Sequence, residues 1–163
     1  GYGNNGDISE QYPTLSEEVK TVIREAGDLI VNPTLLRTFR NVQYLPENRQ
    51  PSAEKLATLK AFHARLLTDL KESGAVIVAG ADFPRLDAMD EVLYYRELGI
   101  FSNAELLNML IETAALIFPG RQIGSFEEGS EAHVLIFSKN PAEDIQHVNS
   151  MEMAIKNGLP LSN

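Results

Sequence analysis

Apolar residues run along this chain in two rhythms. Stretches at three- and four-residue spacing alternate with short unbroken apolar runs, and the alternation predicts helices and buried strands in turn. Residues 1–13 are polar and glycine-rich and read as loop. Thr14-x-x-Glu17 has the form of a capping box, and Val19, Val22 and Ile23 follow at helical spacing up to Gly27. Leu29-Ile30-Val31 is a short apolar run closed by Asn32-Pro33. It predicts a buried strand, because proline removes the next ladder donor. Residues 38–51, with Pro46 and Pro51, read as loop. Ser52 then caps a long helix with Leu56, Leu59, Phe62, Leu66 and Leu70 as its buried stripe and Gly74 at its end. Ala75 to Ala79 forms the second strand. Continuous apolar strands between amphipathic helices predict an α/β fold with a parallel sheet covered on both faces.

After Pro84 the pattern predicts a helix from about Leu86 to Gly99. Ser102-x-x-Glu105 is a second capping box, opening a helix that carries Leu106, Leu107, Leu110, Ile111, Ala114 and Ala115. That wide apolar face predicts deep burial. The character changes at Pro119-Gly120. The alternation in Val134-Leu135-Ile136-Phe137 and the Asn157-Gly158 pair belong to short strands and tight turns. A boundary is therefore expected near residue 119, between an α/β part (residues 1–118) and a small β part (residues 119–163).

Composition narrows the function classes. Fourteen basic against twenty-three acidic residues give a net charge of -9, which repels phosphate backbones and argues against a nucleic-acid partner. The chain contains no cysteine, so disulfides, thiolate metal sites and a cysteine nucleophile are excluded. Its absence fits a reducing compartment, and a cytoplasmic location is expected. No run reaches the length of a membrane span.

Candidate chemistry is sparse. Gly1-x-Gly3-x-x-Gly6 has dinucleotide-fingerprint spacing but no strand before it, and reads as loop. No cofactor-binding residue is assigned from it. His63, His133 and His147 have no metal-ligand spacing. His63 lies beside the apolar stripe of the long helix and reads as a packed, hydrogen-bonded histidine. His133 begins a strand and His147 sits in a loop, neither with a visible carboxylate orienter. Asp82 stands out, because it ends the apolar run Val76-Ile77-Val78-Ala79-Gly80-Ala81. It is either a turn aspartate capping the following helix or a functional carboxylate, since sites in parallel α/β folds gather at the C-terminal ends of strands.

The run 76–82 resembles the last barrel strand of the amidohydrolase superfamily, which ends in Gly-Thr-Asp or Gly-Ser-Asp. Further stretches agree in order. Glu97-Leu98-Gly99-Ile100 with Ser102 to Leu107 resembles the helix after that strand, and Thr113-Ala114-Ala115 its Thr-x-x-Ala segment. Ile123-Gly124-Ser125-Phe126-Glu127-Glu128-Gly129-Ser130-Glu131-Ala132 is similar to the family's Ile-Gly-Ser-Leu-Glu-x-Gly-Lys-x-Ala-Asp. Asn140-Pro141 with Asp144-Ile145, and Ile155-Lys156-Asn157-Gly158, resemble its closing motifs. Val31-Asn32-Pro33-Thr34-Leu35 resembles the Val-x-Pro-Thr-Leu strand of the imidazolonepropionase-like branch.

The resemblance spans roughly residues 28–160. It implies the C-terminal portion of a (β/α)8 TIM barrel followed by strands of a small β-sandwich. It also implies a metal-dependent hydrolase of amide-type C–N bonds, with one or two divalent ions, zinc being the expected metal, and a small-molecule substrate. The strand-8 aspartate of that family binds metal and takes the proton of the attacking water; carried over, it is Asp82, as catalytic residue and metal ligand. The family's His-x-His pair, bridging lysine or glutamate, and two later histidines have no counterpart here. Ala81 stands where Thr or Ser is usual, and His133 where Asp is common.

The chain is therefore expected to be the C-terminal part of a larger hydrolase whose N-terminal barrel segment completes the site, and to be inactive alone. A homo-oligomer stays open. The alternative is a non-catalytic hydrolase-derived module that binds a protein partner through an open sheet edge. Arg37, Arg40 and Arg49 lie in one surviving rim loop, where they either meet a substrate carboxylate or are simply solvated.

Overall fold

A computed structural model describes residues 14–43 and 45–161. Helix α1 (Glu17–Ala26) starts two residues later than the Thr14 capping box predicts. Ser16 is extended and its Oγ accepts from Val19 N at 3.3 Å, so the hydroxyl nearest the helix serves as cap. Strands β1 (Ile30–Val31) and β2 (Val76–Ile77) pair in parallel, Ile30 opposite Val76 and Val31 opposite Ile77. Val76 N donates to Leu29 O at 2.9 Å and Val78 N to Val31 O at 3.0 Å. Parallel strands need a long crossover, and here it contains α2 (Leu35–Gln43), a 3₁₀ turn at Glu47–Arg49 and α3 (Ala53–Glu72).

Two expectations fail in this region. Residues 38–43 continue a helix rather than starting a loop. Leu35, Leu36 and Phe39 share one buried face of α2, a signal masked in sequence by the polar residues between them. The first strand is also less covered than expected. Leu29 and Ile30 are 40% and 41% exposed, because among the described residues only β2 pairs with β1.

Helix α3 is capped by Ser52, whose Oγ accepts from Lys55 N. Its innermost row is Leu59, His63, Leu67 and Leu70, with Leu56, Phe62 and Leu66 flanking it half-buried. Helix α4 (Ala88–Leu98) opens with a capping box between Asp87 and Asp90. Helix α5 (Asn103–Leu110) opens with the predicted box of Ser102 and Glu105. The expected single long helix breaks at Ile111, with φ -113° and ψ -84°, and restarts as α6 (Glu112–Ala115). Beyond Leu106 and Met109 its apolar face is not deeply buried, and Ile111, Leu116, Ile117 and Phe118 remain exposed.

The C-terminal part holds β3 (Val134–Phe137), β4 (Met151–Lys156) and β5 (Leu159–Pro160) in one antiparallel sheet of that order. Asn157 and Gly158 have φ 51° and 76°, which gives the predicted two-residue turn between β4 and β5. A 3₁₀ helix at Ile145–Ser150 places Ile145 and Val148 in the same core as α4 and α5. The molecule is thus mixed α/β, with a pair of parallel strands under helices and a small antiparallel sheet.

His63 behaves as predicted for a core histidine. It is fully buried, and its Nδ1 shares a 2.8 Å hydrogen bond with the Tyr94 hydroxyl. Burial pushes its pKa down to about 4 from 6.5. A base with a lowered folded pKa contributes stability that is complete above its unfolded value and is lost as pH falls through the folded one. Between pH 6.5 and 4 the protein should therefore lose stability on the order of 3 kcal/mol from this group. Urea unfolding across that range should show a flatter profile for His63→Gln than for the wild type.

Candidate active site at the ends of the parallel strands

The C-terminal ends of β1 and β2 lie side by side. From β1 the chain runs through Asn32, Pro33 and Thr34 into α2. From β2 it runs through Val78, Ala79, Gly80 and Ala81 to Asp82. The two stretches approach so closely that a Cβ on Gly80 would lie 2.5 Å from Asn32 Nδ2, which explains a glycine there. Val78 and Ala81 are buried, whereas the Asp82 side chain is 63% exposed.

The second strand is shorter than the expected 75–79, ending at Ile77, and the loop after each strand holds a residue in the left-handed region. Among the described residues, three non-glycine residues have positive φ. Thr34, at 48°, and Asp82, at 45°, are two of them; Asn157 in its hairpin turn is the third. A β-branched threonine at that φ is a costly conformer, and such conformers cluster at functional sites.

Arg37, in the first turn of α2, donates from Nη1 to Asp82 Oδ2. The sequence placed this arginine in a loop; the structure brings it onto the candidate carboxylate. Glu91 of α4 stands behind it. The Glu91 side chain is fully buried, and its two oxygens accept from Leu35 N at 2.7 Å and Leu36 N at 3.0 Å. A carboxylate therefore caps α2, from a position 56 residues away in sequence. Burial raises the Glu91 pKa above its ordinary value, and the neighbouring Tyr95 hydroxyl and the two bonds from backbone N–H groups pull against that rise. The Tyr95 hydroxyl, buried beside this carboxylate, makes no hydrogen bond of ordinary geometry, and its pKa is raised, first by burial.

The histidines do not join Asp82 in a metal-binding group. His63 is in the helical core. His133 does have a carboxylate orienter, contrary to expectation: its Nε2 lies 2.9 Å from Glu131 Oε2, and its Nδ1 accepts from Asn157 N. Arg121 holds the same Glu131, and these bonds pull the Glu131 pKa down to about 2. His147 Nδ1 lies 2.8 Å from Asn140 O. Among the described residues no three His, Asp or Glu side chains converge in a way that could hold a metal ion. Asp82 fits one coordination position and no more. The glycine pattern at residues 1–6 lies outside the described residues. A concavity of about 350 Å³ lies among α2, α3 and α4, lined by Phe39, Arg40, Lys60, Leu93 and Glu97 among others; Asp82 does not line it. No described helix is long and apolar enough to cross a membrane.

No protein-family model matches the sequence, and no curated protein matches it. Solved structures do share the fold. A crystal structure of an amidohydrolase aligns with a TM-score of 0.68 at 22% identity, covering 91% of this chain and 38% of that one. A Xaa-Pro dipeptidase with methionine bound in its active site aligns at 0.70 and 23%, covering 91% and 38%. The A. niger ochratoxinase aligns at 0.69 and 22%, covering 89% and 34%. The resemblance carried by the sequence motifs is met by a resemblance in fold. The chain spans well under half the length of each of these structures.

Glu91 offers the clearest test of how this corner is held. Glu91→Ala strands two backbone N–H groups in the interior and should cost about 3 kcal/mol in urea unfolding. A raised folded pKa on an acid gives stability that is complete below the unfolded value of 4.5 and is lost as pH rises through the folded value. Above pH 4.5 the wild type should therefore lose stability relative to Glu91→Gln, and parallel pH profiles would remove that assignment.

Proposed function

We propose that this chain supplies the last two barrel strands and the later sandwich strands of a metal-dependent amidohydrolase-type enzyme that cleaves amide-type C–N bonds. In this reading residues 1–118 are the final βα units of a (β/α)8 barrel and residues 119–163 belong to a composite β-sandwich. The observation that carries it is Asp82 itself: an exposed carboxylate, in a left-handed backbone conformation, in the loop that leaves the C-terminal end of the parallel strand β2. In parallel-strand enzymes that is where reacting groups stand.

Asp82 takes a proton from the attacking water and passes it to the leaving nitrogen. It also serves as one metal ligand. A bound divalent ion, zinc in this reading and one or two in number, supplies a water of lowered pKa. The other ligands would come from the rest of the barrel. The small-molecule substrate would be an amide, and the Xaa-Pro dipeptidase among the similar structures makes an Xaa-Pro dipeptide a sensible first choice.

A second reading has its own support. Leu29 and Ile30 are 40% and 41% exposed beside a strand edge, and such an edge can add a strand from a partner. A metal-free, folded and inactive full-length protein would favour it.

The hydrolase reading predicts that Asp82→Asn, in the full-length protein, lowers turnover of an Xaa-Pro dipeptide at least a hundredfold. Its circular dichroism and urea midpoint should match the wild type. Equal turnover in the variant would refute the assignment.

A further inference from the structure

We infer that Arg37 is a substrate-binding residue. It takes the free α-carboxylate of an N-acylated amino acid and so sets the substrate class at Asp82. This rests on the hydrolase reading and names the leaving group within it. The observation behind it is a guanidinium held against the proposed proton-transfer carboxylate, beside the strand ends.

Of the three arginines between β1 and α3, it is Arg37 that meets Asp82. Arg40 lines the concavity among the helices, and Arg49 lies in the 3₁₀ turn. The support under Arg37 is firm. Thr34 turns the chain out of β1 at φ 48°, and Glu91 fixes the N–H groups of Leu35 and Leu36. Arg37 is the next residue, in the first turn of α2. An arginine aimed in advance loses less freedom when an anion arrives.

The guanidinium also has capacity to spare. The bond to Asp82 uses Nη1, and a guanidinium carries five N–H donors in a planar fork that matches a carboxylate. Its side chain is 47% exposed, within reach of an incoming anion. A second carboxylate on the fork then sits beside Asp82 without displacing it. In an N-acyl α-amino acid the amide nitrogen stands about 2.5 Å from the carboxylate carbon. Carboxylate capture therefore brings the leaving nitrogen close to Asp82, which can serve it directly or through one water. Without the guanidinium between them, the two carboxylates would meet as like charges. An amide that lacks the carboxylate loses the anchor.

The test compares alanyl-proline with alanyl-prolinamide as substrates of the full-length protein. The two share the scissile bond and differ at the carboxylate alone. Wild type should favour alanyl-proline about ten- to hundredfold in kcat/KM, with the difference in KM. Arg37→Met should bring that ratio close to one by raising KM for alanyl-proline. Arg37→Lys, which keeps the charge without the fork, should recover part of it. Asp82→Asn should lower kcat on both substrates. If Arg37→Met slows both substrates alike and keeps the wild-type ratio, its role is structural; the inference is overturned and the hydrolase reading stands. Equal use of the two substrates by the wild type has the same consequence. Turnover of neither by the wild type removes the inference together with the reading beneath it.

Discussion

The arrangement at the strand ends depends on one buried contact, the Glu91 carboxylate against the first N–H groups of α2. A charged group with no exposure is tolerable only when its lone pairs are satisfied. Here two backbone donors and the positive end of a helix meet it. The contact fastens α4 to α2, and α2 begins directly where β1 ends. The place of Arg37 beside Asp82 is thus tied to a residue in a different helix, which acts through the N–H groups of Leu35 and Leu36.

Strain and support are divided between different parts of this corner. Thr34 and Asp82 hold unfavourable backbone angles. The buried row on α3 and the residues of α4 and α5 packed against it carry no such irregularity and provide the rigid frame. That division suits a site whose exposed groups must be aimed by a scaffold they do not stabilise. The concavity among α2, α3 and α4 belongs to the helical layer, and Asp82 does not line it.

Much of the fold was legible because local rules agreed with it. The caps at Ser52 and Ser102, the long leucine-rich helix, the two short apolar strands and the Asn157-Gly158 turn all use short-range chemistry. The failures in reading the fold share one cause, which is context from residues distant in sequence. Helix α2 is held at its start by Glu91, a residue that no local pattern connects to it. The break at Ile111 interrupts an apolar pattern that gives no warning of it. Gly124, whose added Cβ would lie 2.9 Å from Ile111 O, marks where another segment crosses that break. At the site, position at a strand end singled out Asp82, whereas nothing local marked Arg37 as its partner or Glu91 as the support behind it. The His133–Glu131 contact was missed for a different reason: the two residues are two positions apart, but their pairing depends on Arg121 and the β4–β5 turn.

The β4–β5 turn also bears on how the molecule ages. An asparagine followed by glycine is the pair in which the next backbone nitrogen most readily attacks the side-chain amide carbon and expels ammonia, since no Cβ shields that nitrogen. In this hairpin the Gly158 N–H donates to Ala132 O at 3.0 Å, so the attacking nitrogen is held in a hydrogen bond. Succinimide formation at Asn157 would then require the hairpin to open, and the slow appearance of isoaspartate there would act as a chemical record of how often this end of the molecule comes undone.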